Sequence, residues 1–472
     1  MTRKRLGLII GPILFCIVFF LEPFSDLNQE ANAVLASTLW IATWWLSEAL
    51  PISATALLPI AILPLAGGAP IAQTTAAYGD KMLFLFVGGF IIAIAMQKWN
   101  LHKRIALSII YAVGSNSRYI VLGFMLATGL LSMWISNTAT TLMMVTIATA
   151  LISEMRSLNG ENGKVFFKSL LLGIAYSASI GGVATLVGTP TNPIFVSVAK
   201  QLYGTEFSFA SWMAFALPFA LVTMVFCWFL LTNVIFPVNK VEMPLGRESI
   251  KSELMKLGKM SQEEKAVATV FIVMAFAWIT RSFFLSQFIP GINDTVIAIV
   301  ASSLMFIIPA KSDGKPLLTW AEAEKLPWGV IILFGGGLSI AAAFQSSELA
   351  IWIGAQLTSV KALPLFLIIL IVTLSVNFLT EITSNVATAS IMLPVLAALA
   401  DAIGVHPFLL MIPATMAASC AFMLPIATGP NAIVFGSGEL EMRDMVRAGV
   451  WLNLISSLLI SFLVYSVLPF FL

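Results

Sequence analysis

The sequence has little charge. Only 10% of its 472 residues are Asp, Glu, Lys or Arg, whereas 59% are hydrophobic. A soluble domain carries about 25% charged residues, and its apolar runs are seldom long enough to cross a bilayer. Such long runs recur along the whole of this chain. The composition therefore excludes a soluble globular protein and predicts an all-α polytopic membrane protein.

Residues that carry out covalent chemistry are also scarce. The three cysteines all lie inside apolar runs, without the spacing of a disulfide or a metal site. The two histidines, His102 and His406, have no catalytic neighbourhood. The chain has no HExxH motif and no Walker loop, and it has no GxSxG motif in a strand–turn–helix context. We therefore expect no enzyme activity; a membrane enzyme or a passive anion channel is the alternative from a different class.

Eleven apolar segments are predicted to cross the membrane, with the N-terminus in the cytoplasm. The first could be a signal peptide cleaved near Ala31-Asn32-Ala33, but we favour a retained helix because many spans follow it. This topology puts all but four of the 25 Lys and Arg residues on the cytoplasmic side, as the positive-inside rule requires. The exceptions are Lys81, Lys200, Arg281 and Lys361. The predicted spans are 6–21, 34–50, 51–68, 82–98, 169–199, 211–236, 266–288, 292–309, 327–345, 406–436 and 447–471.

Two more apolar intervals, about 119–151 and 362–400, are too long for one crossing. Each carries a Ser-Asn motif near its middle, Ser136-Asn137-Thr138 in the first and Ser384-Asn385-Val386 in the second. If either interval crossed the membrane, the charge pattern would break, whereas entry and exit on one side preserve it. We therefore predict two re-entrant hairpins, the first on the cytoplasmic side and the second on the outer side.

The two halves of the chain repeat each other. FVGGF and FGGGL, and likewise the two Ser-Asn motifs, are 248 residues apart, and GTPTNPI and ATGPNAI are 239 residues apart. Because the hairpins lie on opposite sides in the predicted topology, the repeats are inverted, as in many secondary transporters. The predicted division is 1–238 for the first half with helices 1 to 6, 239–265 for a polar cytoplasmic connector, and 266–472 for the second half with helices 7 to 11.

The third motif pair predicts two unwound helices near mid-membrane. Proline and glycine interrupt the spans 169–199 and 406–436 at about 188–193 and 428–431. Irregular backbone at that depth is tolerated where it is buried or lines a wet cavity. Two hairpin tips and two unwound segments can then meet at one site.

That site would be neutral, since its motifs contain Ser, Thr, Asn and carbonyl oxygens but no Arg or Lys. Such oxygens suit a small hard cation, and hydroxyls, amides and helix N-termini suit a carboxylate. Bound cations would then have to balance the charge of an anionic substrate. Proton coupling through Glu381 or Glu48 is the less favoured alternative, because neither has an ionisable partner nearby in the sequence.

At these residues the chain resembles the divalent-anion/sodium symporter family, and within it the bacterial INDY-type sodium/dicarboxylate transporters. The similarity covers nearly the whole chain and rests on long blocks such as WWLSEALPIS, LSMWISNTAT, AYSASIGGVATLVGTPTNPI, FLTEITSN and ASCAFMLPIATGPNAIVF. The resemblance implies a homodimer with separate scaffold and transport domains, and elevator-type movement of the transport domain.

The resemblance also implies ligands for two or more sodium ions and for the substrate. The first sodium site would comprise Ser132, Ser136, Asn137 and Gly188. The second would comprise Thr380, Thr383, Asn385 and Ala427. Substrate carboxylates would bind Ser136, Asn137, Thr138, Thr189, Ser384, Asn385 and Thr428. This chain departs from many relatives in having Val386, which lacks a hydroxyl, and Gly429, where ATPPN is common.

The function implied is sodium-coupled symport of C4-dicarboxylates such as succinate, fumarate and malate across a bacterial inner membrane. The alternatives of the same class are a dicarboxylate or citrate exchanger and a symporter of sulfate or another divalent anion. The expected partners are the dicarboxylate, sodium ions, the bilayer and a second copy of the chain, with no nucleic acid.

Overall fold

The computed structural model describes residues 3–114, 116–238, 246–312, 314–357 and 361–470, except for the side chains of 154–162, 246 and 247. These residues form helices and no β-strand. The first half contains α1 Arg3–Leu21, α2 Gln29–Ser47, α3 Ile52–Thr55, α4 Leu58–Leu65, α5 Ile71–Ala76, α6 Lys81–Lys98, α7 Leu101–Val113, α8 Ser117–Ser132, α9 Asn137–Val183, α10 Thr191–Tyr203 and α11 Phe209–Phe229. The remainder contains α12 Gly246–Lys256, α13 Gln262–Thr280, α14 Ser286–Phe288, α15 Asp294–Ile307, α16 Trp320–Ala323, α17 Trp328–Ser346, α18 Leu349–Gln356, α19 Leu365–Thr380, α20 Asn385–Ile403, α21 Phe408–Ala418, α22 Gly429–Gly436 and α23 Met442–Ser466.

Eight helical segments in the described part of the chain are long and apolar enough to cross a membrane. They make the chain a multi-pass membrane protein, as the composition predicts. Burial separates the inner from the outer ones: the most apolar part of Gly163–Val183 is 89% buried, whereas that of Arg3–Leu21 is 17% buried. The second part of α9 is therefore a central element, and α1 lies at the periphery.

Several predicted spans have a different shape from the one expected. The segment 51–68 is two short helices, α3 and α4, rather than one. The sequence reading also missed α7, an amphipathic helix within the predicted cytoplasmic region. The polar connector contains α12, but α13 already begins at Gln262, and residues 239–245 lie outside the described part.

Both predicted hairpins are present as pairs of packed helices. In the first, α8 and α9 are joined by a turn between Ser132 and Asn137; in the second, α19 and α20 are joined between Thr380 and Asn385. The predicted end of the first hairpin near 151 stays a prediction. Helix α9, Asn137–Val183, is not straight, because its two ends lie side by side: a Cβ on Gly182 would lie 2.6 Å from Asn137 Oδ1, whereas a straight helix of this length would separate them by about 70 Å. Its two apolar stretches, Asn137–Ser153 and Gly163–Val183, correspond to the second arm of the hairpin and the next predicted span.

The unwound segments begin before the motifs that were predicted to cause them, and Pro190, at the end of the first one, is the N-cap of α10. Helix α9 ends at Val183 and α10 begins at Thr191, while α21 ends at Ala418 and α22 begins at Gly429. Pro193 and Pro430 therefore stand in the first turns of α10 and α22. A proline in the first turn of a helix lacks only an N–H that has no helical partner there, so it starts a helix rather than breaking one.

The repeat is visible in the helix boundaries. Both ends of α8 and α19, and the starts of α9 and α20, are 248 residues apart. The same offset relates Asn100 and Glu348, which both adopt a left-handed conformation, with φ of 58° and 63°. Two residues of this rare conformation at equivalent positions support the register that the motifs suggested.

Three of the four basic residues that departed from the positive-inside pattern are paired with acids. Lys81 and Lys200 each place Nζ 2.7 Å from Glu206 Oε1, and Arg281 Nε lies 2.7 Å from Asp294 Oδ1. The two lysines hold the pKa of Glu206 down at about 2. These three basic residues therefore each lie beside an acidic partner in the fold.

Candidate functional site

Four interruptions of helical structure surround one cavity of about 650 Å³. This is within the range of roughly 300–1,000 Å³ that small-molecule sites occupy. The walls come from the two hairpin turns, the α9–α10 segment and the α21–α22 segment. Ten of the twelve predicted site residues line it: Ser136, Asn137, Thr138, Gly188, Thr189, Thr383, Ser384, Asn385, Ala427 and Thr428. The other two, Ser132 and Thr380, lie directly behind the hairpin turns.

Ser132 and Thr380 orient the two motif asparagines in the same way. Ser132 Oγ donates to Asn137 Oδ1 at 2.5 Å, and Thr380 Oγ1 donates to Asn385 Oδ1 at 2.7 Å. Each donor stands five residues before its asparagine, at the end of the preceding helix. Both asparagines begin the following helix, and each amide oxygen keeps a further lone pair beyond the one that the hydroxyl occupies.

The serine between each pair starts the second helix of its hairpin. Ser136 is the N-cap of α9, and its Oγ accepts from Ala139 N at 3.3 Å. Ser384 is the N-cap of α20, but no cap bond to its side chain is formed. In the second hairpin Thr383 Oγ1 instead lies 2.6 Å from Thr388 Oγ1. The two turns therefore share a backbone shape but differ in how their hydroxyls are used.

Two asparagines that the sequence reading did not assign hold the unwound segments in shape. Asn192 Nδ2 donates to the carbonyls of Gly182, Val183 and Thr185 at 3.4, 3.1 and 2.7 Å. Asn431 has the same role in the second half, and both of its acceptors are the repeat equivalents of carbonyls that Asn192 binds. Asn431 Nδ2 donates to the carbonyls of Ala421 and Leu424 at 3.2 and 3.0 Å. The pairing of these asparagines in the GTPTNPI and ATGPNAI motifs was the signal that could have identified them.

Glu381 is buried in protein rather than exposed to the cavity. Its side-chain oxygens accept from the backbone N–H groups of Phe422, Met423 and Leu424 at 2.7, 2.9 and 2.9 Å, and from Asn453 Nδ2 at 2.7 Å. The residue is 3% exposed and does not line the cavity. The carboxyl group supports the α21–α22 segment, which argues against its use as a proton carrier.

The cavity wall has almost no charge. Among the described residues that line it, Glu48 is the only ionisable one, and its carboxylate lies 3.9 Å from Lys4 Nζ. The remaining polar groups are hydroxyls, amides and backbone atoms. An anion in this cavity would find no basic side chain on the wall, which is the arrangement that the sequence motifs predicted.

A hydroxyl cluster behind the cavity joins the two unwound segments. Ser419 Oγ lies 2.7 Å from Thr191 Oγ1 and 3.3 Å from Thr189 Oγ1. Ser419 comes from the second half and both threonines from the first. The contact fixes the two unwound segments relative to each other, and nothing in the sequence pattern pointed to it.

The family of this chain is shown by a family model described as the sodium:sulfate symporter transmembrane region, which matches residues 3–468. The chain belongs to this symporter family and is a transporter rather than an enzyme. Two relatives from Staphylococcus aureus, both named sodium-dependent dicarboxylate transporter SdcS, are each 47% identical to it. The protein from strain MRSA252 aligns over 477 residues, 99% of this chain and 92% of the relative. That from strain bovine RF122 / ET3-1 aligns over 475 residues, 99% and 91%.

Two solved structures share the fold at low sequence identity. The YdaH transporter of Alcanivorax borkumensis matches with a TM-score of 0.63 and 13% identity, over 94% of this chain and 99% of that one. MtrF of Neisseria gonorrhoeae, described among antimetabolite efflux pumps, matches with a TM-score of 0.59 and 12% identity, over 98% and 94%. The resemblance of the sequence to a sodium symporter family is therefore confirmed, and the fold is that of known membrane transporters.

Proposed function

We propose that this chain is a sodium-coupled symporter of dicarboxylates, with C4 acids such as succinate, fumarate and malate as substrates. Support comes from the family and from relatives named sodium-dependent dicarboxylate transporters that align over 99% of this chain. The observation that carries the mechanism is the cavity itself. Two asparagine-centred hairpin turns and two unwound segments line it, and no basic side chain among the described residues does.

The absence of basic residues from the lining makes cations part of the mechanism. A dianion that leaves water for a neutral cavity loses favourable hydration, and nearby positive charge must offset that loss. Hydroxyl, amide and carbonyl oxygens are suitable ligands for sodium. We assign one ion to Ser132, Ser136, Asn137 and Gly188, and another to Thr380, Thr383, Asn385 and Ala427. The substrate carboxylates would then bind Ser136, Asn137, Thr138, Thr189, Ser384, Asn385 and Thr428.

The proposal extends to the arrangement in the membrane. Eleven crossings and two re-entrant hairpins in inverted repeats, 1–238 and 266–472, would place the cavity near the bilayer midplane. An elevator-type movement of the part that carries the hairpins, within a homodimer in a bacterial inner membrane, would expose the cavity to each side in turn. The equivalent hydrogen bonds of Asn192 and Asn431 support the repeat on which this scheme depends.

Sulfate is the second candidate substrate, because the matching family model is described as a sodium:sulfate symporter region. Exchange of dicarboxylates without net use of sodium, with citrate as another substrate, is the remaining mechanism of the same class.

The decisive experiment is uptake of radiolabelled succinate into proteoliposomes, with an inward sodium gradient or with choline in its place. We expect accumulation above equilibrium only with sodium, and competition by fumarate and malate stronger than by sulfate. Uptake that needs internal dicarboxylate but not sodium would identify an exchanger. Stronger competition by sulfate than by succinate would reassign the substrate.

A further inference from the structure

Gly429 is the first residue of α22 and lines the cavity at the end where the two repeats touch. Helix α22 packs against α9, which carries the first Ser-Asn motif. A Cβ placed on Gly429 would overlap Thr138 Oγ1 and would lie 3.1 Å from Thr138 Cγ2 and 3.2 Å from Thr138 Cβ. Only a hydrogen atom fits at position 429 while Thr138 keeps its present conformation.

Thr138 has few ways to avoid such a contact. It is β-branched and lies in the first turn of α9, so its χ1 angle is restricted to a small number of rotamers. A methyl group at position 429 would turn the hydroxyl away from its position or push the two helices apart. In either case the hydroxyl of Thr138, a residue that lines the cavity, keeps its present position only because Gly429 has no side chain.

The other half of the cavity offers no equivalent hydroxyl. The repeat equivalent of Thr138 is Val386, which is only 8% exposed, whereas Thr138 is exposed and lines the cavity. Thr138 is therefore the single hydroxyl that these two equivalent positions can present to a ligand. Its orientation affects one end of the cavity and not the other.

We propose that Gly429 is a positioning residue for the substrate, which acts by leaving room for the Thr138 hydroxyl to face one carboxylate of a dicarboxylate. This inference rests on the function proposed above. The two proposed sodium sites contain neither Gly429 nor Thr138. A change at position 429 should therefore weaken substrate binding while the dependence on sodium is retained.

The test is a double-mutant cycle on succinate uptake into proteoliposomes at saturating sodium. Gly429→Ala is expected to raise the KM for succinate roughly tenfold, the size of effect that one misplaced methyl group has in a binding pocket. The maximal rate and the sodium concentration for half-maximal uptake should stay within about twofold of wild type. Thr138→Ala should raise the KM by a similar factor, since it removes the hydroxyl itself.

The double variant distinguishes a positioning effect of Gly429 on Thr138 from two independent effects on packing. In Gly429→Ala/Thr138→Ala the new methyl group no longer meets Oγ1 or Cγ2, so the KM should be no higher than in the worse single variant. Gly436→Ala is the matched control on the same helix, because no atom lies within 4 Å of a Cβ there. It should behave as wild type.

Each result bears on the inference. The inference is overturned if the KM increases of the two single variants multiply in the double variant, or if Gly429→Ala has a wild-type KM. Neither result would affect the finding of sodium-driven transport by the wild type. If the wild type itself shows no sodium-driven uptake, the proposed function fails and the inference fails with it. If Gly429→Ala does not yield folded protein, recovery of folded protein in the double variant supports the contact, and failure of both variants overturns it.

Discussion

In both halves of the molecule the unwound segment donates hydrogen bonds to the hairpin, but the side-chain and backbone roles are exchanged. In the first half, Thr185 Oγ1 donates to the carbonyl of Met133 at 2.5 Å and accepts from Gly188 N at 3.1 Å, so a side chain of the unwound segment reaches the hairpin. In the second half, the hairpin residue Glu381 reaches the unwound segment and accepts from three of its backbone N–H groups. Met133 and Glu381 are equivalent residues of the repeat.

This difference makes the two proposed sodium sites electrostatically unequal. The Glu381 carboxyl group accepts four hydrogen bonds, whereas the equivalent Met133 has no ionisable side chain. Its neighbours in the chain, Thr380 and Thr383, belong to the proposed second site, whereas the first site has only the neutral Met133 in that place. A repeat can therefore preserve geometry while it places chemically different side chains beside the two proposed cation sites.

The largest expected effect is that of Glu381→Gln. A glutamine side chain offers one oxygen instead of two, so at least one buried N–H donor loses its acceptor, at a cost of about 1–3 kcal/mol. The α21–α22 segment should lose its shape, and sodium-driven succinate uptake should fall by on the order of tenfold or more. Met133→Leu, at the equivalent position, should transport as wild type. Uptake by Glu381→Gln at the wild-type rate would show that this carboxylate does not support the site.

The next largest effect is expected for substitutions of the two motif asparagines, and it should differ between them. Asn137→Ala and Asn385→Ala each remove an amide oxygen that a neighbouring hydroxyl orients. Both should raise the sodium concentration needed for half-maximal uptake, by roughly tenfold, where water cannot easily replace the ligand. Asn137→Ala should have the larger effect, because the first site has Met133 at the position where the second has Glu381. A sodium titration of uptake in both variants measures this, and equal shifts would remove the proposed inequality.

The sequence predicted the elements of this site but not the contacts that hold them. The Ser-Asn motifs located both hairpin turns, because short polar residues inside apolar runs need a turn or a partner. The sequence did not show that Glu381 accepts from residues more than 40 positions away, since only the folded chain brings them together. It also assigned Pro193 and Pro430 to helix breaks, because a proline that starts a helix and one that ends it look alike without the helix boundaries.

A moderate effect is expected for Thr185→Val, which keeps the shape of the side chain but removes the hydroxyl. The Met133 carbonyl and the Gly188 N–H would both lose a partner, which destabilises the first unwound segment by about 1–2 kcal/mol. Uptake should fall several-fold, and Thr185→Ser should restore it. At the equivalent position, Leu424→Met should leave uptake unchanged, because the segment is held there through the backbone N–H. If Thr185→Ser is as impaired as Thr185→Val, the hydroxyl is not the relevant group.

The smallest effect concerns two equivalent residues outside the cavity. Asn100 and Glu348 both have φ near 60°, both donate a backbone hydrogen bond to an equivalent glutamine carbonyl, and neither side chain caps its helix. Asparagine tolerates the left-handed region better than glutamate does. Glu348→Asn should therefore stabilise the protein by about 0.5 kcal/mol, and Asn100→Glu should destabilise it by a similar amount. Thermal unfolding in detergent would show midpoints that move in opposite directions while succinate uptake stays at the wild-type level. Midpoints that move in the same direction would mean that the side chains, and not the shared backbone conformation, determine the difference.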